Sequence, residues 1–380
     1  MKTLGLYIHI PFCRKKCNYC DFYSLPTDSS KKISSYVSAL CSHITRESAL
    51  YRDYTVDTVF FGGGTPSLLS NDDFSEIFKA LRESFRLAAD AEISIEANPG
   101  TLDFDKLKLL RSLGVNRLSI GLQSSSDSEL LLLGRIHTLK DFEICFDTAR
   151  SLGFDNISVD VMYALPKQSK SDFIKTLNYV IKKAPEHISS YCLKIEDGTP
   201  FSRLLLDSDL PSEDVQYEMY LDMCELLEKN GYKQYEISNF AKSGKRCRHN
   251  MKYWLSEEYV SFGPGAHSFF DFKRYSYEKN LHSYTDAISK GESPKKLIED
   301  QAEMSQKDRE DEYVMLRMRL CDGASASEFY SLFGKSIVNS YPEIERFIKT
   351  GHIEFKDGTY RFTKEGFFVS SYILSSILFE

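Results

Sequence analysis

Apolar positions along the chain recur with two periods that take turns. Ile33, Val37, Leu40, Ile44 and Leu50 fall at roughly helical intervals and predict a helix over Ser30 to Asp53. Behind it, Asp57 to Phe61 is short, β-branched and aromatic, which predicts a strand, and it runs straight into Gly62-Gly63-Gly64-Thr65-Pro66. A second helix starts near Asn71, whose side chain suits a cap, and carries Phe74, Ile77, Phe78, Leu81 and Phe85 on one face. The strand Glu92 to Ala97 follows and stops at Asn98-Pro99-Gly100. Two later stretches echo each other 39 residues apart: Leu110 to Gly114 leads into a strand over Asn116 to Gly121, and Ala149 to Gly153 into one over Asn156 to Val161. In each a helix ends on glycine, which tolerates the left-handed conformation of a C-terminal cap. The helix before the second copy carries the stripe Phe142, Cys145, Phe146, Ala149 and Leu152. The helix Ser171 to Lys183 then precedes a sixth strand over His187 to Leu193, and a further strand is expected at Gln234 to Ser238.

Such alternation implies parallel strands joined by right-handed crossovers, an α/β fold read here as a partial TIM-like barrel of six βα units. Active sites of these barrels collect at the carboxyl ends of the strands. Cys13 to Cys20 follows a first strand, the apolar run that includes Tyr7, Ile8 and Ile10; Gly62 to Pro66 follows the second, Glu96 closes the third, Gln123 follows the fourth and Asp160 lies late in the fifth. Residues far apart in sequence are thereby expected at one mouth. From about Ala241 the beat stops, which puts a domain boundary there and divides the chain into 1–240 and 241–380. Helices over Asp308 to Leu320, Ser325 to Phe333 and Pro342 to Lys349, a hairpin over His352 to Phe362 turning at Asp357-Gly358, and a closing helix over Lys364 to Leu378 predict a smaller, winged-helix-like α+β domain.

Composition narrows the class. A 42% apolar content with 26 Phe and 23 Tyr in 380 residues is ample core material, and no 18-residue apolar run is present to span a bilayer. The apolar start ends at Pro11 and Cys13 without a small-residue cleavage site, and nine cysteines, an odd number, are expected as reduced thiols in the cytoplasm. Cys41, Cys145, Cys192, Cys224 and Cys321 sit in apolar patterns and read as core residues. A net charge of −7 gives no reason to expect nucleic acid. Gln306 to Glu380 carries 10 Lys and Arg against 12 Asp and Glu, a net of −2, a poor footprint for DNA despite the winged-helix pattern.

The chemistry concentrates at Cys13, Cys17 and Cys20. Thiolates are the preferred ligands of iron-sulfur clusters and zinc, and Arg14, Lys15 and Lys16 between them favour deprotonated sulfur. Three thiolates leave one iron of a 4Fe-4S cluster open to a small ligand; a zinc site completed by His9 or another residue, or three unrelated buried cysteines, are the alternatives. The glycines after the second strand let a ligand approach the backbone. Glu96, on a strand, is costly to bury unless something pairs with it.

The spacing Cys13-x3-Cys17-x2-Cys20, with Tyr19 before the last cysteine, resembles the signature of the radical S-adenosylmethionine (SAM) superfamily, in which SAM chelates the open iron. More narrowly, Tyr7 to Ser24 resembles the oxygen-independent coproporphyrinogen III oxidases and their relatives, especially haem chaperones of the HemW type. The resemblance implies a 4Fe-4S cluster on the three cysteines and SAM contacts at Tyr7, Tyr19, Gly63, Gly64, Thr65, Glu96, Gln123, Arg135 and Asp160, with Asp160 accepting from ribose hydroxyls. It assigns no catalytic residue. The oxidases carry a fourth cysteine where Phe22 stands, and an N-terminal extension before the barrel, whereas here Cys13 arrives almost immediately. Arg248 to Trp254 instead matches the His-Asn-x-x-Tyr-Trp motif of the haem chaperones, and the family-like segment Phe262 to Ser268 follows. The resemblance therefore implies a chaperone that binds haem and passes it to acceptor proteins such as respiratory haem enzymes, with peripheral membrane contact admitted. Coproporphyrinogen III oxidation is the alternative. His249 is the preferred haem ligand, expected partly exposed, with Tyr253 and Trp254 as packing faces, Arg246 or Arg248 for a propionate, and Cys247 and His267 as competing ligands.

Overall fold

In a computed structural model, described over residues 2–206 and 209–379, the six predicted strands lie side by side in chain order: β1 (Lys2–Ile10), β2 (Tyr54–Gly63), β3 (Leu87–Ala97), β4 (Arg117–Gln123), β5 (Ile157–Tyr163) and β6 (His187–Cys192). Every neighbouring pair is parallel. Helices α1 (Ser30–Glu47), α2 (Asn71–Ser84), α3 (Phe104–Ser112), α4 (Leu139–Ser151) and α5 (Lys170–Lys183) make the crossovers.

Successive side chains of a strand point to opposite faces, and here the two faces differ in chemistry. Val59, Phe61, Ile93, Ile95, Leu118, Ile120, Ile157, Val159 and Ile188 join the helices in one apolar core. The alternate positions, Glu96, Ser119, Asp160 and Tyr191 among them, line the other face. Helix starts hold the crossovers in register. α2 is capped by Ser70, not Asn71, because Ser70 forms a reciprocal capping box with Asp73. α1 ends at Glu47 and gives way to a short 3-10 turn over Ser48–Tyr51, so the helix is shorter than its apolar spacing predicts.

Among the described residues no strand pairing closes the sheet. Beyond β6 the chain folds back as β7 (Asn239–Ala241), antiparallel to β6 and to a two-residue strand Lys233–Gln234. The further strand expected over Gln234 to Ser238 is instead a tight reversal between Lys233–Gln234 and β7, a connection whose shortness makes the pair antiparallel. The free edge of β1 is covered by β8 (Tyr259–Phe262), again parallel, followed by antiparallel β9 (His267–Phe270), β10 (Lys273–Tyr277) and β11 (Ile298–Glu303). One twelve-stranded sheet results, and the division expected between residues 240 and 241 runs through it. The physical reason is edge pairing: β1 is fully buried over Leu4, Leu6, Ile8 and Ile10, and an open edge on such a strand leaves backbone groups unpaired. α1 is tied to this extension by buried His43, whose ring nitrogens bond the hydroxyls of Tyr284 and Tyr277 at 2.9 and 3.2 Å.

The C-terminal module has the expected helix order, with helices Gln306–Arg317, Ala326–Phe333 and Ile344–Lys349 and the hairpin Ile353–Lys356/Thr359–Phe362. A third strand, Ala324–Ser325, pairs with the hairpin, and the closing helix is broken into Lys364–Phe368 and Ser370–Phe379. Arg317 Nη1 donates to the carbonyl of Trp254 at 3.0 Å, joining the module to the motif segment. Among the described residues no helix is long and apolar enough to cross a membrane.

Gly366 is where this module packs most closely. A Cβ there would lie 1.9 Å from the carbonyl oxygen of His352. Gly366→Ala is expected to cost about 1–3 kcal/mol through overpacking, read as a lower denaturation midpoint with an unchanged denaturant slope. A midpoint equal to that of the parent would refute the packing.

Candidate functional site

At the carboxyl ends of the strands a cavity of about 580 Å³ is lined by Cys13, Cys17, Cys20, Tyr19, Gly63, Gly64, Thr65, Glu96, Gln123, Arg135 and Asp160. The structure thus gathers eleven of the thirteen expected site residues at one mouth. The remaining two, Tyr7 and His249, lie beneath it. Tyr7 is half-buried one layer down, its hydroxyl 3.2 Å from His9 Nδ1 and its ring stacked on Phe60.

Backbone stitching holds the glycine turn against the cysteine loop. Gly64 N–H donates to Ile10 O at 2.8 Å and Thr65 N–H to Phe12 O at 2.7 Å. A Cβ on Gly64 would sit 2.5 Å from Phe12 O, and Gly63 combines φ +110° with a His9 ring atom 2.5 Å from where its Cβ would be. Only glycine meets both demands.

The sulfurs are met by donors. Thr65 Oγ1 donates to Cys13 Sγ at 3.4 Å and Arg135 Nη1 to Cys17 Sγ at 3.5 Å. The two donors are themselves connected: Asn98 Nδ2 donates to Thr65 Oγ1 at 2.9 Å, and Asn98 Oδ1 accepts from Arg135 Nη2 at 2.9 Å. Burial, with Cys17 and Cys13 adding to it, pushes the Cys20 thiol up to about 11, a penalty that coordination to iron would remove. All three cysteines are free thiols, and Arg135 Nε is a buried donor with no partner in the protein. This donor set fits a thiolate-held cluster. His9 is a poor fourth ligand for zinc, because its Nε2 bonds Tyr23 O at 3.0 Å and its Nδ1 faces the Tyr7 hydroxyl. Among the described residues no three His, Cys, Asp or Glu side chains converge to grip a single ion.

Two carboxylates complete the mouth. Burial, and then the nearby charge of Asp160, push Glu96 up to about 8, while the Gly63 N–H, donating to Glu96 Oε2 at 3.2 Å, opposes the shift. Burial also raises Asp160, against donation by the Ser119 hydroxyl at 3.1 Å to each carboxylate oxygen. Two buried carboxylates with spare acceptor capacity suit a ligand that brings an ammonium group and hydroxyls.

His249 departs from the expectation of a partly exposed ligand. It is 0% exposed, with Nδ1 2.8 Å from Thr58 Oγ1 and Nε2 2.8 Å from the Tyr253 hydroxyl. Its ring stacks on Phe60, and burial lowers its pKa to about 3. Both nitrogens are occupied because the helix Arg248–Trp254 plugs the barrel interior below the cavity, its first amides from Arg248 and His249 capped by Glu92 at 3.1 Å. Cys247 is equally buried and donates to Glu92, while Arg246 and Arg248 pair with Asp322 and Asp90. Of the three ligands considered, only His267 is exposed. Among the residues missed in the sequence are Asn98, Ser119 and Tyr191, all lining the cavity; Cys192, which the apolar pattern places in the core, lines it too. Strand parity signals Ser119 and Tyr191, since they share the inward face of their strands with Arg117 and His187.

Residues 7–180 match the family model of the Radical SAM superfamily, and residues 304–369 that of the HemN C-terminal domain. Fold and cysteine mouth together define a radical SAM protein. The solved structure described as coproporphyrinogen III oxidase (HemN) from Escherichia coli, a radical SAM enzyme, shares this fold at TM-score 0.88 and 24% identity, covering all of this chain and 90% of that one. Full-length relatives named Heme chaperone HemW are closer in sequence: 33% identity to that of Bacillus subtilis over 98% of this chain and 99% of the relative, and 34% to that of Escherichia coli over 100% and 99%. The chain belongs to the HemW family.

Two outcomes follow from the site's geometry. Replacing Cys13, Cys17 or Cys20 with Ala is expected to reduce cluster iron and sulfide to near zero after anaerobic reconstitution, whereas Cys145→Ala, in the apolar core, retains both; full iron in Cys17→Ala would sink the assignment. Glu96 stays protonated to about pH 8 when folded, against an ordinary value of 4.5. The folded chain therefore holds the extra proton, and its stability falls as pH rises between those values. Glu96→Gln, neutral throughout, should melt above the ligand-free parent at pH 8 and together with it near pH 4.

Proposed function

We propose that this protein is a haem chaperone that carries a 4Fe-4S cluster on Cys13, Cys17 and Cys20, binds SAM at the open iron, and passes haem to acceptor proteins. The observation that carries the reading is identity of 33 and 34% over essentially the full chain to relatives named as haem chaperones. Phe22 in place of a further cysteine supports it against coproporphyrinogen oxidation.

A cluster in this loop supplies an iron with an open coordination position. The protein's own part is to bind and orient. Gly63, Gly64 and Thr65 offer backbone at close range to the methionine portion of SAM, Glu96 and Asp160 accept from its ammonium and ribose groups, Tyr19 packs its adenine, and Gln123 and Arg135 fix the remaining polar contacts. Tyr7 supports this layer from below through His9. Haem is cargo. Its ligand is sought at exposed His267, because His249 and Cys247 have no open approach.

The test is anaerobic reconstitution followed by haem titration and a coproporphyrinogen assay. Saturable haem binding without release of CO2 is expected. His267→Ala should shift the Soret band and weaken binding several-fold, and His249→Gln should leave the band unchanged. Release of CO2 from coproporphyrinogen would replace the chaperone reading with the enzymatic one.

A further inference from the structure

Beneath the cavity an unbroken line of hydrogen bonds runs from the motif segment to Asp160. Cys247 N–H donates to the Tyr235 hydroxyl oxygen at 3.4 Å, the Tyr235 hydroxyl lies 2.8 Å from His187 Nε2, His187 Nδ1 lies 2.8 Å from Ser158 Oγ, and Ser158 Oγ donates to Asp160 Oδ1 at 3.3 Å. All four supporting residues are buried, at 0 to 1% exposure.

The two ends fix its direction. A backbone N–H can only donate, and an ionised carboxylate can only accept. Ser158 Oγ has three partners, Asp160 Oδ1 and Ser189 Oγ at 3.3 Å and His187 Nδ1 at 2.8 Å; with its one hydroxyl proton given to Asp160, His187 donates to it from Nδ1. Burial, with Arg117 nearby, holds His187 neutral, so its Nε2 has no proton and accepts from Tyr235. Tyr235, having given its proton, accepts from Cys247. The network thereby assigns the His187 tautomer, and every proton in the line points toward Asp160.

We propose that His187, acting through Ser158, is a positioning residue for Asp160, holding the carboxylate oriented and ionised so that it accepts the ribose hydroxyls of SAM. The proposal rests on the SAM reading of the cavity and extends it to residues outside the cavity wall. It also gives the segment Cys247 to Trp254 a structural role: Glu92 fixes its first amides, and its backbone anchors the line. Five further groups act on Asp160 or are acted on by it: Glu96 from β3, Arg117 from β4, Arg135 from the loop after β4, Tyr19 from the cysteine loop and Tyr191 from β6. None of them is altered by the substitutions below. Ser189 and Ser119 still donate to Asp160 when the line is cut, which limits the loss.

The experiment uses the full-length, cluster-reconstituted protein and follows SAM binding through the paramagnetic resonance of the reduced cluster, across pH. His187→Phe keeps the ring and removes both nitrogens; Ser158→Ala removes one oxygen and serves if the larger change unfolds the chain. Each should weaken SAM binding about ten-fold and move the acid limb of the binding profile to higher pH, with iron content unchanged. His187→Asn, whose amide can donate from near the Nδ1 position, should recover most of the affinity. Parent-like affinity and an unmoved acid limb in both His187→Phe and Ser158→Ala would overturn the proposal. A parent spectrum indifferent to saturating SAM would instead overturn the SAM reading on which it rests.

Discussion

The architecture depends on how a parallel strand divides its side chains between two faces, one dry and one charged. Outward residues of β2 to β6 are apolar and pack the helices; inward ones bring Glu92, Glu96, Arg117 and Asp160 into the same narrow interior. Arg117 is 2% exposed and is held charged by Glu92 and Asp160 among others. One buried guanidinium faces three carboxyl groups, and burial, then the charge of Asp160, keeps the proton on Glu96 far above the ordinary range. Unpaired charge in such a place is costly, and a cationic group bound at the mouth would offset it. Electrostatic deficit below and ligand affinity above are thus two aspects of one arrangement.

The cysteine loop and the glycine turn form a second dependency. Each is held by the other through short backbone bonds from Gly64 and Thr65, and Gly64 has no space for a Cβ. Arg135 and Asn98 then join the loop to the ends of β3 and β4. The cluster ligands are consequently supported by several strands, so a change at one strand end is felt by the sulfurs.

Much of this was legible in the sequence because it is written locally. The six strands, the helical stripes and the three cysteines each carry their own spacing, and the order of motifs along the chain already assigned them to strand ends. What was not legible depended on non-local pairing. That β8 returns to the free edge of β1 follows from a vacancy at that edge, which no pattern within Tyr259 to Phe262 displays. His249 reads as a ligand because a histidine flanked by aromatics resembles one; its occupation by Thr58 and Tyr253 arises only once a helix is driven into the barrel. Asn98 reads as a turn former, and its bridging of Thr65 and Arg135 belongs to three separate segments.

An open sheet of this length has two ends to defend against self-association. At the outer one, β11 presents Glu299, Asp300 and Glu303 in six residues that are mostly exposed. A second copy approaching edge to edge would bring the same acidic row against it, with like charges directly opposed. The strand that completes the fold on this side therefore also ends it, letting the sheet stay open without acting as a template for aggregation.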